Sequence, residues 1–142
     1  MKRVVVDASI AIKWYVPEIH SEAAAKLLSS RYELIAPDLL LPEAANVIWK
    51  KTARRELTEK EGRAALAELL AVGIELFPSS RYVEAALILA NATGTTVYDS
   101  LYLAVAVSTR AQLVTADRRF LDAQLRGPSA THLLWVEDLA KV

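Results

Sequence analysis

Four carboxylates stand apart from the other acids of this chain by their surroundings. Asp7 closes the valine run of VVVDASIAIKWYVPE, Glu43 lies in LLLPEAANVIWK, Asp99 in VYDSLYLAVA and Asp117 in LVTADRRF. Each sits beside strongly apolar sequence, at a strand end or a helix start, whereas Glu56, Glu59, Glu61 and Glu68 lie in polar, helix-surface contexts. An ionised carboxylate at the edge of a core is costly unless something compensates it. If the four meet in one cleft they repel one another, so either some are protonated or a cation holds them. The chain has no cysteine, and an all-oxygen donor set suits the hard ions Mg2+ or Mn2+. Mg2+ keeps several waters and takes few protein carboxylates, which leaves room for a phosphate. A second reading of the same residues stays open: an Asp at a helix start is commonly an N-cap, and Asp7, Asp99 and Asp117 are all so placed.

The elements that must position these acids follow from the hydrophobic pattern. Short apolar runs at 3–6, 33–36, 74–77, 112–115 and 133–136 read as strands. Helical patterns lie between them at about 8–15, 19–30, 38–55, 58–72, 79–92 and 98–110, with a short helix in DRRFLDAQL. Thr58 and Glu61 form a capping-box pair. Ser79 or Ser80 is placed to N-cap the fifth helix, the stretch 91–94 to end it, and Pro42 fits a first turn. Strands interleaved with helices predict a central, mostly parallel five-stranded sheet in a three-layer α/β/α domain. Sheets of this kind bind ligands at the carboxyl ends of their strands, where Asp7 and Asp117 fall.

Composition bounds the rest. The 142 residues are 54% hydrophobic, enough for a real core and too apolar for disorder. No linker or repeat divides them, so a single domain over 1–142 is expected. Formal net charge is zero, so any nucleic-acid contact needs a local basic patch. No segment reads as a membrane span or a signal peptide, which makes the cytoplasm the expected location.

The four quoted motifs, in this order and at this spacing, resemble the PIN-domain ribonucleases and, within them, the VapC toxins of toxin–antitoxin systems. The resemblance covers nearly the whole chain. It implies a small α/β/α fold and an endoribonuclease that hydrolyses RNA phosphodiesters with one or two Mg2+ or Mn2+ ions, leaving 5′-phosphate and 3′-hydroxyl ends. Carried over by motif position, the catalytic and metal-binding quartet is Asp7, Glu43, Asp99 and Asp117. Asp7 and Asp99 are the main ligands, and Ser9, Asn46 and Thr115 are supporting polar positions. The resemblance also implies a homodimer, neutralised by a cognate antitoxin protein.

Substrate binding needs positive charge near the cleft. Asn46, Lys50 and Arg54 recur with Glu43 at helical spacing and form one polar stripe, and Lys13, Arg118 and Arg119 flank the acidic motifs. Trp14, Tyr15 and Trp49 could stack bases, although core packing or a protein interface is the simpler account of each. Three alternatives stay open. A non-toxin PIN domain that processes RNA would share every motif. A metal-free ribonuclease would need two catalytic histidines, and His20 and His132 both lie outside the acidic motifs. A phospho-acceptor domain would need a paired acid beside Asp7 and a lysine after the last strand, and neither is in place.

Overall fold

The computed structural model describes residues 1–139. Its sheet contains β1 (Lys2–Val6), β2 (Tyr32–Pro37), β3 (Glu75–Phe77), β4 (Gln112–Thr115) and β5 (Leu133–Trp135), in the order β3-β2-β1-β4-β5. Every pairing is parallel, with Val5 opposite Ile35 on one side and Leu113 on the other. The helices are α1 (Ala8–Ile12), α2 (Ser21–Ala25), α3 (Leu40–Ala53), α4 (Glu59–Ala71), α5 (Val83–Thr93), α6 (Val97–Thr109) and α7 (Arg118–Leu125). No described helix is long and apolar enough to cross a membrane.

The strand alternation builds two cores. Val4, Val5 and Val6 have no solvent exposure at all, as expected for a central parallel strand covered on both faces. Val5 points into the larger core with Ile35, Leu113 and the apolar faces of α1, α3, α4 and α6. Val4 and Val6 point the other way, to Ile10, Leu27, Val114 and the alanines of α2. Each buried valine contributes about 1.5–3 kcal/mol. Helix α6 is buried from Ser100 through Ala106; it is apolar on nearly every side because neighbours cover it on nearly every side. Helix α5 is also apolar, yet only Ala86 on it is buried.

Chain order and sheet order explain where a ligand can sit. From β1 the chain builds outward through β2 and β3, then returns to the other side of β1 for β4 and β5. The reversal opens a crevice beyond the carboxyl ends of β1 and β4. Residues 7 and 117 follow those two ends.

The local start and stop signals are realised in part. The capping box holds: Thr58 Oγ1 accepts from Glu61 N–H at 3.0 Å, and Glu61 Oε1 accepts from Thr58 N–H at 2.9 Å. Gly94 ends α5 in the left-handed region at φ +74. Pro42 lies in the first turn of α3. The stretch 8–15 is a shorter helix than expected: after Ile12 the chain tightens to bonds from Trp14 N–H to Ala11 O and Tyr15 N–H to Ile12 O. Likewise 19–30 is split into α2 and a 3-10 turn at Lys26–Leu28. Neither Ser79 nor Ser80 caps α5. Ser79 donates its backbone N–H and hydroxyl to Asp38 Oδ1 instead, and Tyr82 precedes the helix without a side-chain cap.

Candidate active site

Asp7 sits in extended backbone at the end of β1 and N-caps α1. Its Oδ1 accepts from Ile10 N–H at 2.9 Å and from the Ser9 hydroxyl at 2.7 Å. Both bonds fall on one oxygen, so Oδ2 is left to the pocket. Asp117 repeats the arrangement after β4: its Oδ1 accepts from Phe120 N–H at 3.1 Å and caps α7. Thr115, fully buried, accepts the Asp117 N–H at 3.0 Å and holds that turn. Capping and lining a pocket are therefore not alternatives for these two residues. Asp99 is different. Thr96 caps α6, accepting from Asp99 N–H at 3.1 Å, which leaves the Asp99 carboxylate without a capping role. Glu43 comes from the first turn of α3, and its Oε1 accepts from the Tyr102 hydroxyl at 2.7 Å.

All four acids line one open pocket of about 470 Å³ with Ser9, Lys13, Tyr102, Arg118 and Arg119. Their electrostatics show a site short of positive charge. Burial pushes the Asp7 carboxyl up to about 6; the bonds from Ile10 and Ser9 oppose this, and the charges of Asp99 and Glu43 add to it. Burial also raises Glu43, against the Tyr102 hydrogen bond and with the help of Asp99. Asp99 is raised by burial and by Asp117, against its bond with Thr96. The Tyr102 phenol is raised by burial and by Glu43, so it stays a donor. Among the described residues no three acids converge closely enough to enclose an ion by themselves.

Two of the three cations lining the pocket are engaged elsewhere. Lys13 Nζ donates to Glu18 Oε1 at 2.8 Å, and the Arg118 guanidinium lies over the Trp135 ring at 4.0 Å from its centre. Asn46, Lys50 and Arg54 are exposed on and just beyond α3 and do not line the pocket; Val47 lines it instead. Trp14 donates its indole N–H to Ala24 O and Tyr15 its hydroxyl to Glu68 O, so both are structural in this arrangement, while Trp49 is 63% exposed. His20 pairs with Glu137 and His132 donates to Ala111 O, and neither lines the pocket.

Sequence reasoning missed Tyr102 and Glu18. Tyr102 was legible in principle, since it follows Asp99 by three residues and so shares its helix face. Glu18 lies with Lys13 in the first quoted motif, but its second partner, Lys51, comes from the separate helix α3 and gave no such signal.

Residues 4–124 match the family model of the PIN domain. The chain belongs to the PIN-domain family. This PIN domain is 36% identical over 122 residues to Ribonuclease VapC3 of Pyrobaculum aerophilum, an overlap spanning 84% of this chain and 93% of that protein. The crystal structure of PAE2754, also from Pyrobaculum aerophilum, superposes with a TM-score of 0.73 at 25% identity, covering 97% of this PIN domain and 86% of that chain. A toxin–antitoxin complex from Klebsiella pneumoniae shares the fold, with a TM-score of 0.57 at 16% identity over 92% of this chain and 95% of that one.

Proposed function

We propose that this PIN domain is a divalent-metal-dependent endoribonuclease of the VapC type, with Asp7, Glu43, Asp99 and Asp117 as its acidic centre. The observation that carries the reading is the convergence of all four motif acids on one pocket at the carboxyl end of the sheet. The donor set fits Mg2+ or Mn2+: oxygens only, crowded enough that burial and mutual repulsion raise three of the carboxyls. A cation among them would reverse that penalty. Among the described residues no three acids form a closed cage, and an ion that keeps much of its own water needs none.

A divalent ion bound there would acidify a water and offset charge on the phosphate oxygens. The chain's own contribution is positional. Ser9 and the Ile10 N–H pin Asp7 Oδ1 and so aim Oδ2 into the pocket. Tyr102 pins one oxygen of Glu43 and leaves the other to accept a proton or orient a water. Thr115 fixes the Asp117 turn through its backbone N–H. Arg119 at the pocket rim, with Arg118, supplies positive charge for the RNA backbone. Lys50 and Arg54, exposed outside the pocket, extend that charge along α3.

The same proposal includes two partners. A cognate antitoxin is supported by the likeness to a VapC relative and to a toxin–antitoxin complex. A second copy of this chain is supported by α5, where Val83, Leu87 and Ile88 are 45%, 50% and 62% exposed and only Glu84 adds charge.

The test compares purified wild type and Asp7→Asn on a structured, end-labelled RNA with Mg2+ or Mn2+, and with EDTA. Cleavage by wild type alone, abolished by EDTA and leaving 5′-phosphates, is the expected result. Cleavage that survives both EDTA and Asp7→Asn sinks the reading and returns attention to the histidines.

A further inference from the structure

One cation in the pocket wall is withheld from the acids beside it. Lys13 is only 8% exposed and lines the same pocket as Asp7 and Glu43. An ammonium on a flexible four-carbon stem is free to turn toward whichever carboxylate holds it best. Lys13 does not turn to the quartet. Its Nζ donates to Glu18 Oε1 at 2.8 Å, and the other oxygen of Glu18 accepts from Lys51 Nζ at 3.0 Å. Glu18 is itself fixed: its backbone N–H donates to Ser21 Oγ at 2.9 Å. Lys51 is anchored a second time by Glu56 at 3.6 Å and lies on α3, the helix that carries Glu43. One carboxylate thus spends each oxygen on a different lysine and ties the segment after α1 to α3. Among the described residues no ion pair joins a lysine to Asp7, Glu43, Asp99 or Asp117.

We propose that Glu18 is a positioning residue that holds the Lys13 ammonium against the pocket wall, so that Asp7, Glu43, Asp99 and Asp117 stay open to a divalent cation. The inference rests on the metal-site reading above and adds a part to it. Without the Glu18 charge, the strongest remaining attraction for Lys13 is the acidic cluster. The side chain then turns inward and acts as an internal counter-ion that competes with the metal.

The test is a Mn2+ titration followed by the electron paramagnetic resonance signal of the free ion. It uses the full chain as wild type, Asp7→Asn, Glu18→Gln, Lys13→Met and the double variant Glu18→Gln/Lys13→Met, each checked for folding by circular dichroism. Loss of a residue that orients a metal site typically weakens binding by about tenfold or more. Glu18→Gln is therefore expected to weaken Mn2+ binding about tenfold when Lys13 is present, and by less than about twofold in the Lys13→Met background. Equal weakening in both backgrounds would show a remote charge effect and overturn the proposal, as would no weakening in either. If Glu18→Gln does not fold, Glu18→Met, which also removes the charge at similar length, carries the same comparison. If wild type and Asp7→Asn bind Mn2+ alike, the metal-site reading itself has failed and the inference falls with it.

Discussion

Replacing Asp7 by Asn should destroy activity and stabilise the metal-free protein. Asp7 ionises in the unfolded chain near its ordinary value of 3.8 and in the folded chain near about 6. A raised carboxyl favours the folded state only while it is protonated. The penalty is therefore absent below pH 3.8, grows as pH rises through 6, and is fully present at pH 7. Its size there is about 3 kcal/mol. Asn removes the charge, keeps the shape, and remains a good N-cap. Its neutral oxygen holds the Ile10 N–H and the Ser9 hydroxyl less tightly, which returns about 1 kcal/mol. The expected net gain is about 1–2 kcal/mol, or roughly 3–6 °C in Tm for a domain of this size. Thermal unfolding in EDTA at pH 7.5 and again at pH 4 measures it: the advantage of Asp7→Asn should shrink at the lower pH. Adding Mg2+ should raise the wild-type Tm and leave the variant unchanged. A variant less stable than wild type in EDTA at pH 7.5 would refute the reasoning, because Asp7 would then be a stabilising cap whose burial costs nothing.

Tyr102→Phe removes the donor to Glu43 and lets burial raise that carboxyl further; RNA cleavage should drop about tenfold, with the acid limb of the pH–rate profile moved to higher pH. Gly62→Ala should destabilise by about 1–3 kcal/mol in urea, since a Cβ there would lie 2.7 Å from Ile48 Cγ2 across the α3–α4 contact. Leu87→Glu combined with Ile88→Glu should leave circular dichroism unchanged, because both side chains are exposed; sedimentation velocity should show a dimeric wild type and a monomeric variant.

The parallel sheet was readable because its inner strands are almost wholly apolar and its helices carry plain start and stop signals, such as Thr58 with Glu61. The acids were readable for the opposite reason, as charges set in apolar runs. Sequence spacing did not resolve whether an Asp caps or faces a ligand. Asp7 and Asp117 each cap a helix and also line the pocket, while Asp99 was relieved of capping by Thr96, a neighbour whose role shows only in the hydrogen bonding. Ser79 illustrates a tertiary override: Asp38, distant in sequence, offered its backbone and hydroxyl a better acceptor than α5 could. The basic side chains were least legible, because a lysine's position depends on which carboxylate captures it. Glu18, which captures two, closes the first quoted motif, yet nothing in that motif points to Lys51.

The order of the strands carries a consequence for timing during synthesis. The pocket draws its acids from the start, the first third and the last third of the chain, and β4 must dock beside β1, with Val114 opposite Val6, before the fourth acid arrives. A nascent chain on the ribosome therefore holds Asp7 and Glu43 in the open long before it holds a complete site. On the proposed reading, a chain with only Asp7 and Glu43 in place has an incomplete site, and a product truncated before β4 lacks Asp117 altogether. On that reading the interleaved sheet brings the four acids together only when translation of the chain is nearly finished, beside a ribosome that is itself rich in RNA.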